Sequence, residues 1–170
     1  MNSPRSLGYR LPAEWEPQQG VWLSWPINRE TWPHCWEAIQ RKFSEIALVL
    51  SKYQSVYINL VSDLRHEAEK TLEKVSADLG LVRGDIQFFD HPVNDVWVRD
   101  HGPVYLIHEE GGSIALTNWE FNGWGEKHPF ERDNKVPTLI ANHIELPCFK
   151  QTLILEGGSI EPNGCGDLLV

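Results

Sequence analysis

A cluster of chemically capable side chains lies in the segment Asn94–Pro103. It places an indole, a guanidinium and a carboxylate within four residues, at Trp97, Arg99 and Asp100. A carboxylate can meet two N–H groups of a planar cation at once, which fixes the position and the orientation of that cation. An indole face nearby adds a cation–π attraction of about 0.5–2 kcal/mol. The grouping therefore indicates recognition of a flat organic cation.

The backbone must bend for these side chains to meet. In an extended strand, successive side chains point to opposite faces, so Trp97 and Asp100 would be separated. The two converge only if the strand ends here. Gly102 and Pro103 predict such an ending, because glycine tolerates unusual dihedral angles and proline cannot donate to a sheet ladder.

The charge balance narrows the class of partner. The chain has 15 Lys and Arg against 24 Asp and Glu, a formal net charge of -9. Nucleic acid and anionic membranes both require basic surface, so neither is expected as a partner, and a cationic substrate is favoured. The first ten residues lack the apolar core of a secretory signal, and no apolar run has membrane-spanning length. We therefore predict a cytoplasmic protein.

The cysteines predict neither a metal site nor a disulfide framework. Cys35, Cys148 and Cys165 are odd in number, and their spacing matches no zinc motif. We expect reduced thiols. No metal or other cofactor is expected, because the chemistry indicated by the cluster needs only side chains and water.

The surrounding pattern predicts an α/β fold. The chain is 170 residues long and 41% hydrophobic, which suits one domain over residues 1–170. Apolar runs predict strands over residues 20–25, 55–61, 84–89, 104–107, 113–117 and 151–155. Three- and four-residue apolar steps or Glu–Lys pairs predict helices over residues 32–50, 64–79 and 133–144, with Thr31 as the N-cap of the first. The aromatic and amide-rich residues 118–125 predict an ordered loop that presents side chains.

Several motifs occur in an order that resembles a known family. The motifs are Glu14–Pro17, Val21–Pro26, Trp97–Pro103, Phe121–Gly125 and Leu155–Gly158. Together they resemble the agmatine deiminase and bacterial peptidyl-arginine deiminase family. The resemblance implies a pentein fold, an α/β propeller of five ββαβ units around a central site. Residues 168–170 read as a strand that is cut short, so we expect the chain to be the N-terminal half of a longer deiminase domain.

The resemblance implies hydrolysis of a guanidinium group to a ureido group with loss of ammonia. For agmatine the product is N-carbamoylputrescine, a step in polyamine biosynthesis. Asp100 matches the carboxylate that grips the guanidinium, and Glu156 matches the residue that pairs with a catalytic His and with substrate. Trp97, Asn122 and Trp124 are the expected substrate-binding residues.

The nucleophile of the family is missing from this chain. The resemblance implies a Cys and a His-x-Asp element farther toward the C-terminus, and none of the seven His residues here has Asp two positions later. Cys165 belongs to the turn that follows the Glu-Gly-Gly strand, so we do not assign it the role. We expect residues 1–170 alone to be inactive.

Simpler roles remain open for each candidate. Asp100 and Arg99 could form a structural ion pair, or Arg99 could be paired with Asp95 or Asp90. Glu156 could accept hydrogen bonds from the turn that follows it. Trp97 could be a core residue, and Asn122 and Trp124 could shape their loop rather than touch substrate. His101 and His128 are expected to be surface or structural residues with no role in the site.

The substrate and the class of activity also have alternatives. The loop Phe121–Gly125 contains no Arg or Lys to hold an α-carboxylate, which favours agmatine, although Lys127 lies just beyond it and peptidyl-arginine is the alternative. A glycoside hydrolase could use Asp100 and Glu156 as its two carboxylates. A non-catalytic module that binds a cation is a third reading. Homo-oligomers are expected only through exposed apolar surface.

Overall fold

The computed structural model describes residues 3–170. The strands and helices, in chain order, are β1 (Tyr9–Arg10), β2 (Gly20–Ser24), α1 (Trp36–Leu50), β3 (Ser55–Leu60), α2 (Arg65–Leu79), β4 (Ile86–Asp90), α3 (Val98–His101), β5 (Val104–His108), β6 (Ile114–Glu120), α4 (Gly123–Glu126), α5 (Val136–Ile144), β7 (Cys148–Ile154), β8 (Glu161–Pro162) and β9 (Leu168–Leu169). The mixed α/β class predicted from the sequence is confirmed. Among residues 3–170, none of the helices combines the length and the apolar composition that crossing a bilayer requires.

The chain forms two compact units. Gln18–Val98 form one, which we call the middle unit. The described residues up to Pro17 and Arg99–Val170 form the other, which we call the split unit.

The middle unit is a parallel sheet with helical connections. Its strand order is β2-β3-β4, and α1 and α2 link consecutive strands. Val56, Ile58 and Leu60 alternate along β3 and are at most 1% exposed. They belong to a core to which the helices contribute Ala47, Leu48, Ala68, Leu72 and Val75. Alternation in the strand and three- and four-residue steps in the helices thus bury one face of each element.

The split unit is a mixed sheet with the strand order β1-β5-β6-β7. β5 and β6 form the predicted hairpin, in which Val104 lies opposite Thr117. β6 and β7 run parallel, as their connection through α5 requires. The buried residues of this unit include Leu106, Leu116, Phe121, Val136 and Ile140.

The structure corrects the predicted start of the first helix. α1 begins at Trp36 with Cys35 at its N-cap position, so Thr31 is not the cap. The Thr31 hydroxyl instead donates to Asp95 Oδ2 over 2.5 Å. Residues 31–35 form turns rather than the first helical turn. The Thr31 hydroxyl therefore bonds to a residue distant in sequence and does not cap the helix.

Two further local predictions were wrong. Val98–His101 form one helical turn, so Asp100 does not end an extended strand. Asn118 and Glu120 lie in β6 rather than in a loop, because they pair with Lys150 and Ile154 of β7. The presenting loop therefore begins at Phe121.

Candidate functional site

The turn that carries Asp100 packs directly on the turn that follows Glu156. Both belong to the split unit. The main-chain N–H of Gly158 donates to Asp100 Oδ1 over 3.2 Å. Asp100 and Glu156 are both half-buried. Two residues that are 56 positions apart are thus brought to neighbouring turns.

The two glycines after Glu156 allow this close approach. A Cβ at residue 157 would lie 2.4 Å from the Arg99 carbonyl oxygen, and a Cβ at residue 158 would lie 2.3 Å from Asp100 Oδ1. A side chain at residue 157 would require the main chain to move, whereas a side chain at residue 158 would require the Asp100 carboxylate to leave its position. The Glu-Gly-Gly sequence is therefore explained by contact with the Asp100 turn, where only glycine lets two main chains come this close.

The Glu156 carboxylate is available for chemistry. Within residues 3–170 it makes no hydrogen bond or ion pair, and only the Glu156 carbonyl oxygen is engaged, by the Ser159 N–H at 3.0 Å and the Ser159 hydroxyl at 2.8 Å. The alternative in which the turn uses the carboxylate is therefore wrong. The carboxylate can accept hydrogen bonds from a cation or from an imidazolium.

Arg99 has partners other than those considered from the sequence. Its guanidinium forms ion pairs with Glu14 and with Glu161, the latter at 3.4 Å. Its Nη2 also lies 3.4 Å from the Ile160 carbonyl oxygen. The pairing of Arg99 with Asp100 is wrong, because the Asp100 carboxylate instead accepts the Gly158 N–H.

The two other aspartates suggested for Arg99 are engaged within the middle unit. The Ser62 hydroxyl and the Ser62 N–H hold the pKa of Asp90 below its ordinary value. Asp95 is buried, and its Oδ2 accepts bonds from Thr31 and, at 3.3 Å, from Asn28. Both carboxylates therefore have local partners, and the pairing predicted from nearness in sequence was wrong.

Trp97 lies in the middle unit, 39% exposed. Its ring stacks on that of Trp32, with a centroid distance of 6.4 Å and an interplanar angle of 27°. The Thr31–Asp95 hydrogen bond lies one residue from Trp32 and two from Trp97 in sequence, so it ties together the two segments that carry the rings. Trp97 therefore keeps part of its side chain accessible, and an accessible indole can attract a cation.

Asn122 and Trp124 shape a tight loop in the split unit. Asn122 Oδ1 accepts the Gly125 N–H over 2.9 Å. Trp124 has φ 58 and ψ 47, the left-handed region that a bulky residue rarely adopts. Its ring meets the edges of Phe121 at 5.3 Å and of His128 at 5.5 Å. Asn122 therefore has a structural bond, and Trp124 is held in a strained and defined conformation, as found at binding sites.

Sequence reasoning missed a buried pair behind Asp100. His101 and Asp133 are each 2% exposed, and His101 Nε2 lies 3.7 Å from Asp133 Oδ1. The His101 ring also packs on Phe121 with a centroid distance of 5.9 Å. His101 thus connects the Asp100 turn to the Trp124 loop. Nothing in the sequence marks it as buried, because its partner lies 32 residues away.

Neither Cys148 nor Cys165 is placed as a nucleophile for the Asp100 and Glu156 turns. Burial raises the pKa of the Cys148 thiol, and nearby Lys150 opposes this only in part. Cys165 is exposed in the turn between β8 and β9, where its N–H donates to Asn163 Oδ1. Neither Cys148 nor Cys165 bonds to Asp100 or Glu156. Within residues 3–170, no group of three or more His, Cys, Asp or Glu is placed to hold a metal ion.

A groove of about 310 Å³ lies elsewhere in the split unit. Asn118, Asn134, Lys135 and Lys150 are among its lining residues, but Asp100 and Glu156 are not. Its amides are bonded within the protein, as in the bond from Asn118 to Thr138. We therefore place the candidate site at the Asp100 and Glu156 turns and not at this groove.

Comparisons with known proteins agree with the motifs. Residues 10–170 match the family described as Porphyromonas-type peptidyl-arginine deiminase. A protein from Marinomonas sp. (strain MWYL1), named "Putative agmatine deiminase", is 32% identical over 98% of this chain and 43% of its own length.

Solved structures give the same fold. An agmatine deiminase of Enterococcus faecalis superposes with a TM-score of 0.86 at 26% identity, covering 99% of this chain and 45% of that one. A substrate-bound C. jejuni agmatine deiminase with a cysteine-to-serine change gives a TM-score of 0.77 at 26% identity, covering 94% of this chain and 44% of that one. The chain thus spans less than half the length of these relatives. Because the family match extends over residues 10–170, the chain belongs to the Porphyromonas-type peptidyl-arginine deiminase family.

Proposed function

We propose that the protein hydrolyses a guanidinium group to a ureido group and releases ammonia, with agmatine as the substrate. The observation that carries the proposal is the packing of the Asp100 turn on the Glu156 turn, which brings two half-buried carboxylates into one neighbourhood. A delocalised cation with several N–H donors is the ligand that such carboxylates suit. The two agmatine deiminases with solved structures support the same reaction.

The proposed reaction assigns each carboxylate a separate task. Asp100 accepts two N–H groups of the guanidinium and so orients its carbon. On the same proposal, Glu156 holds the nitrogen side of the same group. A thiolate adds to the carbon, ammonia leaves with a proton, and water then replaces the sulfur to form the ureido oxygen. The net change consumes one water and converts the guanidinium into a neutral urea and an ammonium ion.

We further propose that the thiolate and its His-x-Asp partner lie beyond residue 170 in the whole protein. The relatives are more than twice as long as the matched region, and the substrate-bound C. jejuni protein is a cysteine-to-serine variant. The raised pKa of Cys148 and the position of Cys165 in a hairpin turn argue against either as the nucleophile. On this proposal, residues 1–170 alone have no deiminase activity.

Agmatine is preferred over peptidyl-arginine as the substrate. Within the loop Phe121–Gly125 there is no Arg or Lys to hold a carboxylate, and the side chain of Trp124 offers an apolar surface for an alkyl chain. Peptidyl-arginine is the second candidate, because the matched family bears that description. The proposal places the enzyme in the cytoplasm and in polyamine synthesis, with no cofactor. Assembly into a homo-oligomer is part of the same proposal.

The test uses the whole protein as its native host makes it. Ammonia release and ureido formation are measured with agmatine, free arginine and an arginyl peptide. We expect turnover of agmatine, and a loss of at least about 100-fold in kcat for Asp100→Asn and Glu156→Gln. Glu110→Gln, an exposed carboxylate on the β5–β6 turn, is the control and should retain activity.

Three outcomes would count against the proposal. Turnover of the arginyl peptide alone would replace the substrate. Binding of agmatine without ammonia release by the whole protein would favour a cation-binding module. Hydrolysis of a glycoside with no effect on guanidino compounds would favour the two-carboxylate alternative.

A further inference from the structure

We infer that Arg99 is a positioning residue, which sets the geometry of Asp100 and Glu156 from outside the site. This inference rests on the proposed function for its consequence but not for its structural content. Arg99 lies between the two carboxylates in the contact network: it precedes Asp100 in α3, and its guanidinium reaches Ile160 and Glu161, just after the Glu156 turn. No catalytic contact is required of it.

The side chain of Arg99 holds three chain segments together. One nitrogen pairs with Glu14, which lies between β1 and β2. The other is 3.4 Å from both the Ile160 carbonyl oxygen and Glu161 Oε1. A planar guanidinium can serve acceptors on different sides at once, whereas an ammonium is a single point of charge. The Arg99 side chain thus links the segment between β1 and β2 to the start of β8.

The main chain of Arg99 meets the same turn. The Arg99 carbonyl oxygen is 2.4 Å from the position that a Cβ on residue 157 would take. Arg99 Cγ is 3.6 Å from the position that a Cβ on residue 158 would take. The main chain and the side chain of Arg99 therefore contact residues 157–161 at several positions. Because Glu156 directly precedes this segment, the direction of its side chain relative to Asp100 depends on these contacts.

The solvent exposure of the Arg99 ion pairs indicates that they affect catalysis more than the free energy of unfolding. The side chains of Arg99, Glu14 and Glu161 are 53%, 46% and 60% exposed. Ion pairs this exposed contribute little to the free energy of unfolding, because solvent screens them. Catalysis is far more sensitive, since a displacement of about 1 Å can reduce the rate by about 100-fold. Arg99 should therefore matter for kcat much more than for folding.

The experiment compares Arg99→Gln with Arg41→Gln in the whole protein. Arg41 is a matched control, since it pairs with Asp78 over 2.6 Å on the surface of the middle unit and is 44% exposed. For Arg99→Gln we expect kcat for agmatine to fall by about 10- to 100-fold, with a smaller change in KM. The Tm should change by less than about 4 °C. Arg41→Gln should leave kcat unchanged, and Arg99→Lys should recover only part of the activity.

A second readout separates this inference from the proposed function. Hydrogen exchange at the Gly158 amide, which donates to Asp100, is followed by NMR in the wild type and in Arg99→Gln. Faster exchange in the variant supports the positioning role even if the wild type releases no ammonia, in which case only the proposed function fails. Unchanged kcat together with unchanged exchange would overturn the inference.

The inference remains testable if Arg99→Gln does not fold. Glu161→Gln weakens one of the three attachments and keeps the guanidinium. We then expect a several-fold loss of kcat and faster exchange at the Gly158 amide with a wild-type Tm. Wild-type kcat and exchange in this variant would overturn the inference.

Discussion

The main-chain N–H of Gly158 donates to Asp100 Oδ1 over 3.2 Å, and a side chain at residue 158 would collide with that same oxygen. The hydrogen bond and the lack of space for a side chain at residue 158 both arise because the two turns are in direct contact. This contact brings the two candidate carboxylates together, so changes at the glycines should affect activity without removing any functional group.

Gly158→Ala tests this contact. Its Cβ would lie 2.3 Å from Asp100 Oδ1, so the Asp100 carboxylate must leave its position or the two turns must move apart. We expect a loss of about 1–3 kcal/mol in the free energy of unfolding, as for other overpacked sites. We also expect kcat in the whole protein to fall by about 100-fold. Urea unfolding and steady-state kinetics measure the two effects.

The control for this variant is Gly111→Ala on the β5–β6 turn. There the φ angle is +86° but no atom lies within 4 Å of the added Cβ, so only backbone strain is introduced. It should cost about 1 kcal/mol in stability and leave kcat unchanged. Equal kinetic effects in the two variants would contradict the proposed contact.

Asp133→Ala tests the buried pair with His101. Both residues are 2% exposed, and removing the carboxylate takes a polar neighbour away from the buried imidazole. We expect a loss of about 1–3 kcal/mol in the free energy of unfolding. Asp63→Ala, at an exposed turn before α2, is the control. A loss below about 1 kcal/mol for Asp133→Ala would mean that the pair is not a source of stability.

The Arg10–Glu16 ion pair predicts a dependence on pH. Two hydrogen bonds from Arg10, together with the Ala13 N–H, lower the pKa of Glu16 from 4.5 to about 2. Because the pKa is depressed in the folded state, the stabilisation is fully present above pH 4.5 and is lost as the pH falls toward 2. The Glu16 carboxyl carbon, followed by NMR, should titrate near pH 2.

Glu16→Gln provides the matching thermal measurement. The difference in Tm between wild type and variant should be largest above pH 4.5 and should shrink toward pH 2. A Glu16 carboxyl that titrates near its ordinary value of 4.5 would contradict the depressed pKa.

The three cysteines should differ in their rate of alkylation. Burial raises the pKa of Cys148, which lowers the fraction of thiolate, whereas Cys35 and Cys165 are exposed. At neutral pH, iodoacetamide should therefore modify Cys35 and Cys165 before Cys148, as read by peptide mass spectrometry. Denatured protein, in which all three thiols are accessible, is the control. Labelling of Cys148 first in the folded protein would contradict the raised pKa of its partly buried thiol.

The amino-acid sequence by itself determined the elements whose signals are local. Apolar spacing located α2 and β3 to within one residue, and the glycines at 111 and 112 located the β5–β6 hairpin. These elements bury one face of a short segment, so their periodicity is visible without the rest of the chain. The order of the short motifs was also enough to indicate the family, later confirmed over residues 10–170.

The tertiary structure decided which residues are partners. The partners of two polar side chains lie far away in sequence. Thr31 bonds to Asp95, and Arg99 pairs with Glu14 and Glu161. Nearness in sequence suggested a helix cap for the first and Asp90 or Asp95 for the second, and both were wrong. A side chain can bond to any acceptor that the fold brings within reach. The local sequence pattern does not indicate which acceptors those are. The same reason hid the burial of His101 against Asp133 and the need for glycine at residues 157 and 158, which follows from a contact 58 residues away in sequence.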